Sequence, residues 1–313
     1  MLSLICTQEN DIHAEYVKQA IEDLGGQALF FERYNPEHHL SFSFKSGISD
    51  AWVTINNKKY SLVNDIKSIL WRVKPHLPSE ISGAESSVTD KFRFQEWRNT
   101  ISSMEDFLSD EKCINTLSSR TLMSRKISQL RLAIKCGLTT PESVISNFSK
   151  DIVESLPSGD IIYKTLSSFV ADQKLIYTNK TDRQIIEKSH DEISLAPGIF
   201  QTLIEKKYEL RVVVIGDEVF CAKVDSQKQE ATRIDWRYDQ NEHMFSSSSL
   251  SDFTTDNLLK FHKASGLTFA TYDFIVDNND QEIFLECNPC GQWLFVGDEL
   301  GLPITRSLAR QLL

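Results

Sequence analysis

Ala270-Thr271-Tyr272-Asp273-Phe274-Ile275-Val276, then Asp277-Asn278-Asn279-Asp280-Gln281, then Glu282-Ile283-Phe284-Leu285, lead into Glu286-Cys287-Asn288-Pro289-Cys290-Gly291-Gln292-Trp293. β-Branched and aromatic arms around an Asn/Asp-rich centre predict a β-hairpin. Centring its turn on Asn279-Asp280 pairs Val276 with Ile283 and, by the same arithmetic, Asp273 with Glu286. Side chains alternate along a strand, so Asn288 shares the face of Glu286. Two facing carboxylates repel, and the hairpin gains nothing from them unless a cation lies between. Three converging oxygen donors suit Mg²⁺, which completes its shell with water and phosphate oxygens, so a triphosphate is the expected companion. The competing reading is a solvated hairpin edge carrying ordinary surface acids.

The chain around this hairpin has 313 residues, 41% hydrophobic and 25% charged, enough for a large core and two or three lobes. No apolar run approaches a membrane-spanning length, and Met1-Leu2-Ser3-Leu4-Ile5-Cys6 lacks a basic region followed by a long apolar core. A cytoplasmic protein without membrane contact is expected. The six cysteines, at 6, 113, 136, 221, 287 and 290, are scattered and read as reduced packing residues rather than a disulfide framework. A net charge of −10 argues against non-specific nucleic-acid binding, so an acidic substrate must meet a local basic pocket.

In chain order, residues 1–6 form a strand and Ile12 to Leu24 a helix, with Ile12, Tyr16, Val17, Ala20, Ile21 and Leu24 at helical spacing. Gly25-Gly26 ends it, and Ala28-Leu29-Phe30-Phe31 completes a β-α-β unit with a parallel sheet. Its connection lacks GxGxxG, so nucleotide binding there is not supported. Residues 51–55 and 58–62 flank Asn56-Asn57 as a hairpin, and Ser68 to Val73 is a strand closed by Pro75. From Val88 to Leu108 the stripe Phe94, Trp97, Ile101, Met104 and Leu108 marks an amphipathic helix. That stripe has two fates, core packing or a seam with a second copy or a partner helix.

A domain boundary is expected between Asp110 and Met123, giving an N-terminal domain 1–117, a small central lobe 118–192 and a C-terminal lobe 193–313. Ser124-Arg125-Lys126 begins a helix with Ile127, Leu130, Ile134 and Leu138 as its expected buried side. Strands follow at 143–146, 160–164 and 174–177, and 208–215 with 218–223 form an antiparallel pair turning at Gly216-Asp217. Residues 225–251 are polar and read as mobile loops, 258–265 as a short helix, and 303–313 as a final one.

Lys126, Lys164, Glu205, Arg211, Asp273, Glu286 and Asn288 form an ordered series, each polar at the edge of an apolar element. With Gln201-x-x-Ile204-Glu205, Glu209-Leu210-Arg211-Val212, Asp273-Phe274-Ile275 and Glu286-x-Asn288-Pro289-x-Gly291, the series resembles the ATP-grasp ligase superfamily over roughly residues 118 to 313. Asn288 to Trp293, the Asp235-Trp236-Arg237 loop, and Lys126-x-x-Gln129-Leu130 with Gly137-Leu138-Thr139-Thr140-Pro141 are more narrowly similar to the ATP-grasp maturases of graspetides, the microviridin-type peptides. The N-terminal lobe, ending in Trp71-Arg72, is compatible with their pre-grasp domain, while Cys290 departs from the small or amide residue expected.

The resemblance implies an α/β (α+β) chain with an ATP-grasp fold behind an N-terminal β-α-β pre-grasp domain. It implies ATP and Mg²⁺ as cofactors and a ribosomal precursor peptide with leader and acidic core as partner. Asp or Glu side chains of that peptide would be phosphorylated and captured by Thr/Ser hydroxyls or Lys amines, giving macrolactones or macrolactams. Asp273, Glu286 and Asn288 would hold the metal; Lys126 and Lys164 would neutralise phosphate; Arg211, Lys223 and Arg237 would be catalytic. The main chain of Thr202, Leu203 and Ile204, with Gln201 and Glu205 nearby, would hold adenine, and Glu209 the ribose. Two alternatives stand beside it: a carboxylate–amine ligase acting on a free amino acid or small amine, and a non-catalytic nucleotide-binding module regulating a partner through the Phe94-to-Leu108 helix; a homodimer is a further expectation. Cys287-x-x-Cys290 lacks a second ligand pair for zinc, alternation turns Cys287 away from Glu286, and His190 reads as loop surface. Asp273→Ala or Glu286→Gln is expected to abolish turnover with the fold intact.

Overall fold

The computed structural model describes residues 1–32, 35–72, 87–166, 170–171, 174–175, 179–228 and 245–313. Strand β1 (Leu2–Thr7), helix α1 (Ile12–Asp23) and strand β2 (Gln27–Glu32) form the expected unit, with β1 parallel to β2. Gly25 (φ +82°) takes the left-handed position that closes α1. The inward face of α1 is His13, Ala14, Val17 and Ile21, whereas Ile12 and Tyr16 are exposed, so the helix is rotated from the expected stripe. The rotation follows from its cap: Asp11 accepts hydrogen bonds from the His13 and Ala14 amides and fixes the first turn.

The alternating run His38–Lys45 (β3), not anticipated from sequence, pairs antiparallel with β4 (Ile48–Ile55), which turns into β5 (Lys58–Ser61). Asn56 and Asn57, at φ 49° and 63°, supply the paired positive values of a tight hairpin. Strand β6 (Ser68–Trp71) lies parallel to β1, and the expected continuation through Val73 and Pro75 lies outside the described residues. Helix α2 (Val88–Ser102) and the 3-10 turn after it bury Phe94, Ile101 and Met104. Its stripe packs against Leu4, Phe31, Val53 and Ile69, so core packing is its fate rather than a seam.

The polar segment after Asp110 still adds strand β7 (Cys113–Ile114) to the first sheet, whose order is β2-β1-β6-β7. Helices α3 (Leu117–Met123) and α4 (Lys126–Lys135) follow. The buried side chains of α4 are Gln129 and Ala133; of the expected face Leu138, past the helix end, is buried, whereas Ile127 and Ile134 are exposed, which corrects the rest. A polar anchor sets that rotation: the Gln129 amide holds both the N–H and the C=O of Cys287.

Strand β8 (Ser143–Ser146), helix α5 (Ser149–Ser155), β9 (Ile161–Lys164), the short β10 (Val170–Ala171), β11 (Lys174–Leu175) and β12 (Asn179–Thr181), helices α6 (Arg183–Lys188) and α7 (His190–Ser194), and β13 (Gly198–Thr202) build the middle of the chain. Its sheet runs β12-β9-β13-β8, entirely antiparallel. His190 begins α7 rather than a loop, with its ring bonded to Ser149 Oγ.

The last sheet, ordered β16-β15-β14-β17-β18, contains β14 (Lys206–Ile215), β15 (Glu218–Val224), β16 (Phe245–Ser248), β17 (Phe269–Asp277) and β18 (Glu282–Asn288). Three of the four consecutive serines, expected in a loop, form an edge strand on β15. Helix α8 (Asp252–Ser265) is longer than expected, and α9 (Leu294–Leu300) and α10 (Ile304–Gln311) complete the chain.

Alternation along β14 and β17 divides the core. Leu210, Val212, Val214, Ala270, Tyr272 and Phe274 pack on Leu258 and Phe261 of α8. Val213, Ile215 and Phe269 face the other way, onto Ala14, Val17 and Ile21 of α1 and Ile304 and Leu308 of α10. The β-α-β unit and the last sheet therefore share one core. Ser3 and Ser68 hydroxyls both donate to the Leu312 carbonyl, tying the first sheet to the end of the chain.

Candidate active site

Arg211 and Asp273 sit on the face of the last sheet that turns toward α1, one residue out of phase with the α8-facing positions 210, 212, 272 and 274. They are direct cross-strand partners. On the hairpin the register differs from expectation: Val276 pairs with Glu282, Ile275 with Ile283 and Phe274 with Phe284. A β-bulge then leaves Leu285 without a partner position and pairs Asp273 with Glu286. The expected pair is formed because of the bulge, which hands Glu286 the face that Leu285 would have taken. Cys287 lies opposite Tyr272 on the reverse, buried face, and Asn288 opposite Thr271.

The expected repulsion between the carboxylates is met by two protein cations. Arg211 Nη1 contacts both oxygens of Asp273 at 2.8 and 2.9 Å, and Lys126 Nζ contacts Glu286 Oε2 at 2.6 Å. The first pair is buried, while both members of the second are about a quarter exposed, at 27%. Lys126 is also the first residue of α4, where the backbone N–H groups add positive potential. Among the described residues no cluster of three His, Cys, Asp or Glu side chains could hold a metal; the third oxygen on this face is the Asn288 amide, which accepts from the Cys290 N–H at 3.1 Å. Two carboxylates and an amide oxygen on one face remain a hard donor set that fits Mg²⁺.

After Glu286 the main chain is held at nearly every step. Gln129 takes Cys287, and Asn115 Nδ2 donates to the Pro289 carbonyl at 3.0 Å. Arg72 Nη1 reaches the Gly291 carbonyl at 3.4 Å, and Arg211 Nη2 the Gln292 carbonyl at 3.0 Å. Trp293, fully buried, donates from Nε1 to Thr305 and packs edge-on against His13 and Phe269. Asn115 also bonds the Thr268 and Phe269 amides and the Phe269 carbonyl, so it pins the start of β17 to the loop after β18.

Paired carboxylates, a lysine at a helix start and a buried arginine over a rigid loop constitute a site built for anions and a hard cation. The family model for the RimK-like ATP-grasp domain matches residues 123–312, which contain all of these except the N-terminal contributors. The chain belongs to the RimK-like ATP-grasp family. Its ATP-grasp fold extends beyond the matched segment in solved structures. A Chryseobacterium gregarium RiPP-associated ATP-grasp ligase, solved with ADP and a leader and core peptide, is 25% identical and covers 99% of this chain and 96% of its own, with a TM-score of 0.85. The macrocyclase MdnC of Microcystis aeruginosa, bound with precursor peptide MdnA, is 25% identical over 100% of this chain and 99% of its own, with a TM-score of 0.84. The macrocyclase MdnB of the same organism shares the fold, at 22% identity over 100% and 99% of the two chains and a TM-score of 0.79. Comparison with curated proteins found no match.

The remaining residues expected of an ATP-grasp site lie in two groups. Lys164 closes β9 opposite Ile199, and Gln201, buried on β13, donates to Ser143 Oγ. The Thr202 and Leu203 amides already donate to the Glu142 and Asp160 carbonyls, so those two N–H groups serve the sheet. Exposed Glu205 accepts from Asn278 at the hairpin turn. Glu209 is buried and paired with Lys206 Nζ at 2.7 Å; burial pushes its carboxyl up, and Lys206 and Ser226 pull it back. Lys206, not anticipated from sequence, thus stands where Glu209 alone was expected. Lys223, on β15, pairs with Asp225 at 2.9 Å over the Tyr208 ring. Arg237, with the whole Asp235-Trp236-Arg237 segment, lies outside the described residues. Burial raises the Cys287 thiol far above its ordinary range, which agrees with a packing role.

His13 and His262 make the stability pH-dependent. Burial lowers each to about 4, helped at His13 by Arg72 and Arg211. Both are neutral when folded near pH 7, so protons bind the unfolded chain first as pH falls below its ordinary histidine value of 6.5. Stability should therefore fall as pH drops from 6.5 toward 4, by about 1.4 kcal/mol per pH unit per group at most. Urea midpoints measured across that window check this, and His13→Gln should remove about half of the slope.

Proposed function

We propose that this chain is an ADP-forming ATP-grasp ligase that closes rings in a ribosomally made precursor peptide. The observation that carries the reading is whole-chain similarity to a RiPP-associated ligase solved with ADP, leader and core peptide, coinciding with the Asp273–Glu286 site. A carboxylate is a poor electrophile. Transfer of the ATP γ-phosphoryl to a core Asp or Glu would give an acylphosphate and ADP, and attack by a Thr/Ser hydroxyl or Lys amine would release phosphate and close the ring.

Asp273, Glu286 and Asn288 would hold Mg²⁺, which supplies positive charge against the phosphate oxygens when bound. Lys126, released from Glu286 by that cation, and Lys164 would turn to phosphate. Arg211 is held by Asp273 and Gln292 with little freedom, so it offers preorganised charge to the transferring group. Lys223 and Arg237 are assigned to the acidic core, since a chain of net charge −10 needs local cations to admit it. Gln201, the 202–204 main chain, Glu205 and Glu209 would line the nucleotide end. We assign residues 1–117, 118–192 and 193–313 as pre-grasp, small and large lobes.

No helix among the described residues is long and apolar enough to cross a membrane, and burial pushes the Cys113 and Cys221 thiols up to about 12. The raised thiols mark these cysteines as packing residues, and a cytoplasmic setting remains part of the proposed reading. A homodimer would have to use a surface other than the α2 stripe, which is in the core.

The reading is tested by following ADP release with purified chain, Mg-ATP and a short acidic peptide encoded beside it. ADP should appear only when the peptide is present, with free amino acids unable to replace it. Amino-acid-dependent ADP release without peptide would favour the small-amine ligase, and no release with any acceptor the non-catalytic module.

A further inference from the structure

Arg72 belongs to none of the elements matched by the family model, yet it touches the loop whose Gln292 carbonyl accepts from Arg211. Its backbone N–H is fixed to the Cys6 carbonyl at the end of β1, directly after β6. Its guanidinium is buried and forks onto Asp11, with Nε to Oδ2 at 3.1 Å and Nη2 to Oδ1 at 3.2 Å. Its third nitrogen reaches the Gly291 carbonyl, and its Cζ lies 4.9 Å from the Trp293 ring centroid. Asp11 is itself immobilised by Thr7 Oγ1 and by the two α1 amides it caps.

Consecutive carbonyls, Gly291 and Gln292, are thus held by arginines from the first and the last sheet, each with its own aspartate. The two carbonyls belong to successive planar peptide units that share the Gln292 Cα, so displacing the Gly291–Gln292 plane moves the atom on which the Gln292–Trp293 plane hinges. A buried ion pair stabilises a fold little better than an apolar pair of the same volume, so burial alone does not explain the choice of Asp11 and Arg72. Their fork does what an apolar pair cannot, which is to fix one carbonyl oxygen in direction as well as distance.

We infer that Arg72, oriented by Asp11, is a positioning residue that sets Arg211 through the backbone on either side of Gln292 and so makes the N-terminal β-α-β unit part of the active site. Arg72 and Asp11 touch no reacting atom in this role. The kinetic part of its test rests on the proposed peptide ligation; the spectroscopic part does not.

Two variants separate positioning from folding. Asp11→Asn keeps an equally good helix cap but removes the charge that orients Arg72. Arg72→Lys keeps a cation but loses the fork. The first readout is the Arg211 Nε–H signal in nitrogen-15 NMR, assigned by its disappearance in Arg211→Lys; that N–H is buried without a hydrogen-bond partner among the described residues. Both folded variants should displace it. The second readout is turnover of the precursor: kcat should fall by on the order of 10²-fold with KM for ATP within about 2-fold, the signature of displaced geometry rather than lost nucleotide binding. An unmoved Arg211 signal in both folded variants overturns the inference, as does a kcat loss matched by an equal rise in KM for ATP. If the wild-type chain does not turn over the precursor, the proposed function fails and the Arg211 signal alone decides on Arg72.

Discussion

Replacing Glu286 by glutamine is expected to lower turnover by on the order of 10²–10³-fold or more, while changing stability by no more than about 1 kcal/mol. The partner it leaves, Lys126, is at the surface end of α4 and 27% exposed, so water can solvate the freed ammonium. What is lost is one of the two carboxylates that face each other across β17 and β18. Asp273→Ala should behave differently. Its partner Arg211 is buried, and removing the carboxylate strands that guanidinium, at about 3–5 kcal/mol. Retention of the fold is therefore predicted for Glu286→Gln and no longer for Asp273→Ala. Asp273→Asn, which keeps an oxygen for Arg211, is the variant that isolates catalysis. Chemical denaturation beside single-turnover kinetics checks all three, and equal destabilisation of Glu286→Gln and Asp273→Ala would contradict the assignment.

Gly291→Ala should be nearly as damaging, through sterics alone. A Cβ there would meet the Cβ and Cγ2 of Thr271 at 2.7 Å and its hydroxyl closer still. Thr271 is fully buried within β17, paired on both sides by β14 and β18, and cannot withdraw. The loop would have to lift, breaking the Arg72 and Arg211 bonds to the Gly291 and Gln292 carbonyls. Destabilisation of about 1–3 kcal/mol is expected from the overpacking, with a turnover loss on the order of 10²-fold from the displaced loop. Adding Thr271→Gly removes all three clashing atoms and should restore much of the turnover, despite about 0.5–1 kcal/mol for a glycine inside a strand. Turnover and thermal midpoints of the single and double variants read this out; no recovery in the double variant would place the fault elsewhere.

The site was legible in the sequence wherever it rested on local alternation. Asp273, Glu286 and Asn288 could be placed on one face by counting, although the count reached the right pair through two offsetting features, a turn one position out and a bulge at Leu285. Bulges depend on how a strand meets its neighbours, which a strand's own pattern does not record. The same reason explains the two misjudged helix faces. In α1 and α4 the inward side was chosen by polar anchors, Asp11 on the first turn and Gln129 on Cys287, against the hydrophobic stripe. Asn115, Arg72 and His13 carried no local signal as site residues, because their partners in the segment after β18 lie more than 150 residues away for Asn115 and Arg72 and across the chain at Trp293 for His13. The Trp71-Arg72 and Gln129 positions did stand in the motifs of the family resemblance, which is where a sequence signal for them existed.

The most direct measurement is the mass of the precursor peptide, with the nucleotide products counted alongside, after incubation with the chain, ATP and Mg²⁺. Capture of an acylphosphate within one peptide requires loss of one water per ring, with one ADP and one phosphate formed for each. Hydroxylamine then separates ester rings, which it opens, from amide rings, which it spares. A peptide of unchanged mass beside ADP, a gain of a whole amino acid, or AMP with pyrophosphate in place of ADP would each contradict the account.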